Sequence, residues 1–282
     1  MDTPGNRRGD APDGTPAGAG GRTDRRGLLA GALAGAAVAL TGCSATGATT
    51  SAAPAASTGA ARPAGTAGTT TGATDSASPQ ARPGTPAEAF KRLMDGNRRW
   101  VSGNLQHPDR DPDRRQFVAE KQEPFGSVLS CIDSRVPPEL LFDTGLGDLY
   151  VMRTGGEAVE PVVTGSVEYG PLTSNTPLVV VLGHQRCGAV QASYQSLRDG
   201  KPLPGGLQAI AEALRPAYEK AVKEGGDDPV ETMARAQVTL TAAALRSNDG
   251  LGPLVDKGAL AVVGAYYSLD TGKVEILSGA PS

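Results

Sequence analysis

Two short motifs hold most of the chemistry that this chain can offer: Cys131-Ile132-Asp133-Ser134-Arg135 and His184-Gln185-Arg186-Cys187-Gly188. Two thiols and an imidazole make a soft sulfur and nitrogen donor set suited to zinc. Three protein ligands leave a fourth position open, the arrangement of a catalytic rather than a structural zinc site. Taken singly, each cysteine reads as a small buried core residue, the commonest fate of a free thiol. A histidine three positions before one cysteine, together with an acid and an arginine just after the other, favours the metal reading. Asp133 and Arg135 stand two positions apart, so the guanidinium can hold the carboxylate by paired charged hydrogen bonds. The second histidine, His107, falls in a polar loop.

The motifs lie far apart in the chain, so the fold must join them. Ser127–Ile132 reads as a short buried strand, Leu149–Met152 as another, and Leu178–Leu182 as the strongest, apolar and β-branched throughout. If the first and third are neighbours, their carboxyl ends bring the motifs together, where ligands of parallel sheets bind. Thr85-Pro86-Ala87-Glu88 has the pattern of a capping box opening an amphipathic helix over 86–102, with Phe90, Leu93 and Trp100 at helical spacing. Residues 104–116, rich in Asp, Arg and Pro, read as an extended loop. Helices are predicted near 161–169, 186–199, 206–224 and 230–247, and strands at 259–267 and 274–277. Strands alternating with helices imply an α/β domain with a mainly parallel central sheet flanked by helices.

With these elements in place the sequence resembles the β-class carbonic anhydrases. The resemblance covers 86–282 and rests on Cys131-x-Asp133-Ser134-Arg135 and His184-x-x-Cys187-Gly188. Ser166-Val167-Glu168-Tyr169, Ala189-Val190 and Val262-Val263-Gly264 support it. It implies that family's fold, one zinc ion per chain on Cys131, His184 and Cys187, and reversible hydration of carbon dioxide to bicarbonate and a proton. In the chemistry expected, zinc lowers the pKa of bound water from ~15.7 to about 7, so that hydroxide is available at neutral pH. The resemblance makes Asp133 and Arg135 a dyad that orients this nucleophile. It also offers substrate-binding roles for Gln122, nine residues before Cys131, for Tyr150, where relatives often carry a pocket phenylalanine, and for Gly188. A solvated loop residue is an equally good account of Gln122, and an ordinary core aromatic of Tyr150. Gly188 is read as allowing close approach of backbone to the site. Arg153-Thr154-Gly155-Gly156 departs from the Arg-Asn that many relatives have after the second strand. Family members assemble as dimers or larger homo-oligomers, and helix 86–102 is expected to pack on the partner.

Upstream the composition changes. All aromatic residues of the 282-residue chain lie between Phe90 and Tyr267, and residues 44–85 contain no Leu, Ile, Val or Met. So little apolar surface cannot offset the entropy of ordering, so 44–85 reads as a disordered tether of Ala, Gly, Ser, Thr and Pro. Before it, Arg25-Arg26 and an apolar run to Leu40 resemble a twin-arginine export signal. Leu40-Thr41-Gly42-Cys43 resembles a lipobox, with Cys43 as the lipidated thiol. Residues 1–43 are therefore expected to direct export, leaving the protein lipid-anchored on the extracytoplasmic face of the cell membrane. Three cysteines are too few for a disulfide framework. A net charge of −3 argues against nucleic acid as the main partner. Carbonyl sulfide or carbon disulfide as substrate, a non-catalytic binding lipoprotein and a redox dithiol at Cys131 and Cys187 are the competing readings. The last lacks a C-x-x-C motif.

Overall fold

The computed structural model describes residues 81–281; the proposed signal, Cys43 and the tether as far as residue 80 lie outside the described residues. Order begins before Pro86. Arg82 donates to the carbonyl oxygens of Pro124, Ser174 and Asn175 at 2.8–3.2 Å. The tether as read from composition therefore runs a few residues too far: one guanidinium collects carbonyls left over at a helix end.

Five strands form one sheet in the order β2-β1-β3-β4-β5: β1 Gly126–Cys131, β2 Leu149–Thr154, β3 Leu178–His184, β4 Ala261–Tyr267 and β5 Val274–Ser278. The first four are parallel and β5 is antiparallel to β4. β1, β3 and β4 are buried along their whole length, as strands covered on both faces are, although β1 carries Ser127 and Ser130 among its apolar residues. The chain leaves β1 toward β2 on one side and returns to β3 on the other. The crevice at the carboxyl ends of β1 and β3 is thus a topological switch point.

Helix α1 (Pro86–Ser102) opens with the predicted capping box: the Thr85 hydroxyl accepts from the Glu88 N–H and the Glu88 carboxylate from the Thr85 N–H. Its buried stripe, Ala89, Leu93, Gly96 and Asn97, lies on the sheet face that carries Val180 and Val263. A Cβ on Gly96 would stand 1.7 Å from the Phe142 carbonyl oxygen, so this crossing needs glycine. Phe90, Leu93 and Trp100 pack into the chain's own core, and the Trp100 indole donates to the Tyr267 hydroxyl at 3.2 Å.

Helices α4 (Pro161–Ser174) and α8 (Pro229–Arg246) lie on the opposite face. Helix α4 runs five residues beyond the predicted end, through Pro171, because Gly170 sits tight against Ser127 and Tyr150 and keeps the helix on the sheet. The segment read as an extended loop, 104–116, ends inside α2 (Pro112–Glu120). None of its residues is buried, so no apolar stripe announces it. Asp111 caps it by accepting from the Arg114 N–H. The single helix expected over 206–224 is two, α6 (Leu207–Ala213) and α7 (Arg215–Glu224), divided where Pro216 in the first turn of α7 removes a backbone donor. Two short helices were not foreseen, α3 (Pro138–Leu141) and α9 (Gly252–Asp256). Helix α5 (Gly188–Asp199) leaves directly from the second motif. No helix among the described residues is long and apolar enough to cross a membrane.

Candidate metal centre

Cys131 ends β1 and His184 ends β3, and the pairing of Ser130 with Leu182 sets these ends side by side. Two residues past His184 the backbone turns at Arg186, φ 53°, and delivers Cys187 to the first turn of α5. The helix N-terminus there favours a thiolate. Cys131, His184 and Cys187 are all buried, and their donor atoms lie within 4.8 Å of one another.

The donors suit a metal in detail. The two sulfurs are 3.7 Å apart. That is far longer than a disulfide bond and close to the ~3.8 Å separation set by Zn–S bonds of ≈ 2.3 Å at a tetrahedral angle. His184 places Nδ1 3.0 Å from the Gln185 carbonyl oxygen, which can only accept. Nδ1 therefore carries the proton and the Nε2 lone pair faces the sulfurs. Nε2 is buried without a hydrogen-bond partner, the state of a ligand atom awaiting a cation. The hydrogen bond from Cys187 holds Cys131 far below the ordinary thiol range, and the same contact pushes Cys187 up.

Asp133 stands on the remaining side, its Oδ2 3.9 Å from His184 Nε2. Arg135 grips it through Nε to Oδ1 at 2.9 Å and Nη2 to Oδ2 at 2.6 Å, and the Arg135 N–H adds a bond to Oδ1 at 2.9 Å. These bonds hold the Asp133 carboxyl well below the usual carboxylate range. The structure thus joins four elements of the sequence reading: the three donors and the Asp133–Arg135 pair.

Gln122 and Tyr150 are not brought to this cluster by the chain. Gln122 is exposed before the amino end of β1. Tyr150 pairs with Ser127, whereas Thr154 pairs with Cys131, which sets Tyr150 about 13 Å back along the strand. Its ring meets Tyr169 edge-on and its hydroxyl lies 3.0 Å from the Ser174 hydroxyl. A Cβ on Gly188 would meet nothing within 4 Å, so no close approach of this chain's own atoms calls for glycine there. His107 lies apart, its Nδ1 beside Arg110.

Arg153 and Glu157 were not singled out as site residues. Arg153 donates from Nε to the Cys131 carbonyl at 2.8 Å and from Nη2 to the Asp133 carbonyl, bracing the first motif from β2. Glu157 closes the one-turn 3-10 helix Gly155–Glu157; it is buried, and its Oε1 has no partner. Burial, with the nearby Cys131 charge, pushes its carboxyl well up. A carboxyl after two glycines suggests a turn, and only the fold shows that the turn lies behind the thiols.

A family model described as Carbonic anhydrase matches residues 127–274, more than half of the chain. The chain belongs to the carbonic anhydrase family. Carbonic anhydrase 2 of Mycobacterium tuberculosis is 38% identical over 189 residues, 67% of this chain and 91% of that protein. The carbonic anhydrase of Mycolicibacterium smegmatis is 39% identical over 201 residues, 68% of this chain and 94% of that protein. Among solved structures, a Coccomyxa β-carbonic anhydrase in complex with acetazolamide matches with TM-score 0.52 and 25% identity over 67% of this chain and 86% of that one. A tetrameric β-carbonic anhydrase of Sordaria macrospora is similar in fold, with TM-score 0.55 and 21% identity over 68% and 98% of the two chains. Family membership makes the chain a carbonic anhydrase enzyme with the α/β fold of the β class.

Proposed function

We propose that Cys131, His184 and Cys187 hold one zinc ion per chain and that carbon dioxide is hydrated beside it, with Asp133 and Arg135 as the orienting dyad. The observation carrying this reading is the unpartnered, buried His184 Nε2 facing two sulfurs 3.7 Å apart. Zinc held there supplies a nucleophile at neutral pH by lowering the pKa of water to about 7. The chain's own residues do the rest. Asp133, kept ionised by Arg135, accepts a hydrogen bond from the nucleophile and fixes which lone pair faces carbon dioxide. So acidic a carboxyl is a poor base at neutral pH, so the proton released with bicarbonate passes to water or buffer. The carbonyls of Cys131 and Asp133, tied to Arg153, keep the dyad from swinging away from the donors.

The protein is further proposed to be exported by a twin-arginine-type route, anchored to the membrane through lipid on Cys43, and assembled as a homodimer or larger homo-oligomer. The order of arginine pair, apolar run and lipobox supports the first two, and the tetrameric Sordaria macrospora relative supports the third. Metal analysis and stopped-flow carbon dioxide hydration test the central reading. The expected result is one zinc per chain and hydration well above the buffer rate; zinc-loaded protein no faster than buffer overturns it.

A further inference from the structure

The two residues between His184 and Cys187 carry an unusual load. Arg186 adopts the left-handed conformation, φ 53°, which is unfavourable for a non-glycine residue because its Cβ crowds the following carbonyl oxygen. The twist turns its carbonyl oxygen toward Arg135, whose Nη2 donates to it at 3.3 Å while also holding Asp133 Oδ2 at 2.6 Å. Something must keep the twist in place, and the side chains of this loop converge on one acid. Arg186 grips Asp270 in two-pronged fashion, Nη2 to Oδ1 at 2.7 Å and Nη1 to Oδ2 at 3.1 Å. Gln185 Nε2 donates to the same Oδ2 at 3.0 Å. Asp270 belongs to the turn joining β4 to β5, and the Gln185 N–H donates to the Tyr267 carbonyl at 2.9 Å just before that turn.

A single exposed ion pair is worth little in stability. Three donors on one carboxylate, however, define a geometry. They fix the path of the two residues that space His184 from Cys187 and aim a carbonyl at Arg135.

We propose that Asp270 and Arg186 form a latch: positioning residues that set the spacing of the His184–Cys187 loop and the orientation of the Arg135–Asp133 pair. The latch rests on the zinc reading above for its effect on turnover, but its effect on the loop stands without metal. Asp270 acts on Arg186, Arg186 on Arg135 through its carbonyl, and Arg135 on Asp133. None of the latch contacts touches the reacting atoms.

The test uses the full chain as wild type, Asp270→Ala, Asp270→Glu, Arg186→Gly and the double variant Arg186→Gly/Asp270→Ala. Glycine is chosen at 186 because it adopts φ 53° freely, so a loss there cannot be blamed on backbone strain. Melting temperatures are expected to stay within about 2 °C of wild type, as for substitutions at the surface. Zinc-loaded Asp270→Ala and Arg186→Gly should retain one zinc each, release it to a chelator about tenfold faster and turn over about tenfold more slowly, the low end for residues that orient ligands from outside. The double variant should be no worse than either single, because both cut the same path. Asp270→Glu should recover most of the loss. In metal-free chains, iodoacetamide should alkylate Cys187 faster in both single variants than in wild type.

Wild-type zinc release, turnover and alkylation in both single variants overturn the latch, as does a double variant whose losses multiply. A wild-type chain that takes up no zinc or hydrates no carbon dioxide overturns the functional reading instead; the alkylation rates then decide the latch alone.

Discussion

The weight on individual residues follows from what each atom lacks. His184 Nε2 has no partner, whereas Nδ1 is matched to a carbonyl; the ring is oriented for a ligand rather than for packing. Replacing Cys187 by serine leaves a hard, protonated hydroxyl where a thiolate is needed. Cys187→Ser is expected to purify with essentially no zinc, and metal analysis showing about one ion per chain would remove Cys187 from the ligand set. Asp133 differs in kind, because its carboxylate faces the cluster from the open side and is held by Arg135. Asp133→Asn keeps the shape and loses the charge. It should retain zinc while turnover falls about 10- to 100-fold, and near-normal stopped-flow rates would show that the carboxylate orients nothing. Both motifs were legible in the sequence because each packs several chemical groups into five residues. Arg153, Glu157 and Asp270 were not, because each acquires its role only by contact with residues distant in the chain.

At the scale of elements, strands were read well and surface helices less so. β3 declares itself by an apolar run, Leu178–Leu182, centred on three β-branched valines, as strands covered on both faces carry. Helix α2 has no such signature, since none of its residues is buried and only the Asp111 cap marks its start. The turn after β2 makes a prediction of its own. Glu157 is buried and its carboxyl is raised, first by desolvation and then by the Cys131 charge. The folded state therefore keeps a proton that the unfolded chain gives up near pH 4.5, so the native state binds more protons above that pH. Stability must then fall as pH rises, by about 1.4 kcal/mol per unit, until the folded carboxyl itself ionises. Glu157→Gln lacks this slope. In metal-free protein, urea unfolding at pH 5, 6 and 7 should show the glutamine variant gaining on wild type at each step. A constant gap would mean that Glu157 is already ionised in the fold. Gly183 offers a second test beside the site. A Cβ there would lie 2.3 Å from a Val238 methyl on α8. Gly183→Ala should therefore cost about 1–3 kcal/mol through overpacking, read as a lower urea midpoint; an unchanged midpoint would show that α8 yields freely.

For the molecule as a whole, the division of the cysteines matters most. Cys131 and Cys187 are buried together at a sheet switch point, whereas Cys43 stands 88 positions before Cys131 in the chain, outside the described residues. Arg82, near the start of the described residues, bonds across the amino end of β1 and the end of α4, and every proposed ligand lies beyond that point. If Cys43 is the lipid attachment point, its thiol governs where the protein resides and has no part in what the domain does. Cys43→Ser should therefore move the protein from the membrane fraction to the soluble extracytoplasmic fraction. Zinc content and turnover per zinc should be unchanged, because the proposed ligands and dyad all lie within 131–187. The control is Cys187→Ser, which should stay with the membrane and lose zinc. A Cys43→Ser protein still retained by membranes would show that the hold lies elsewhere. One that left the membrane and also lost turnover would show that the leader and the catalytic domain are coupled in a way that a simple anchor is not.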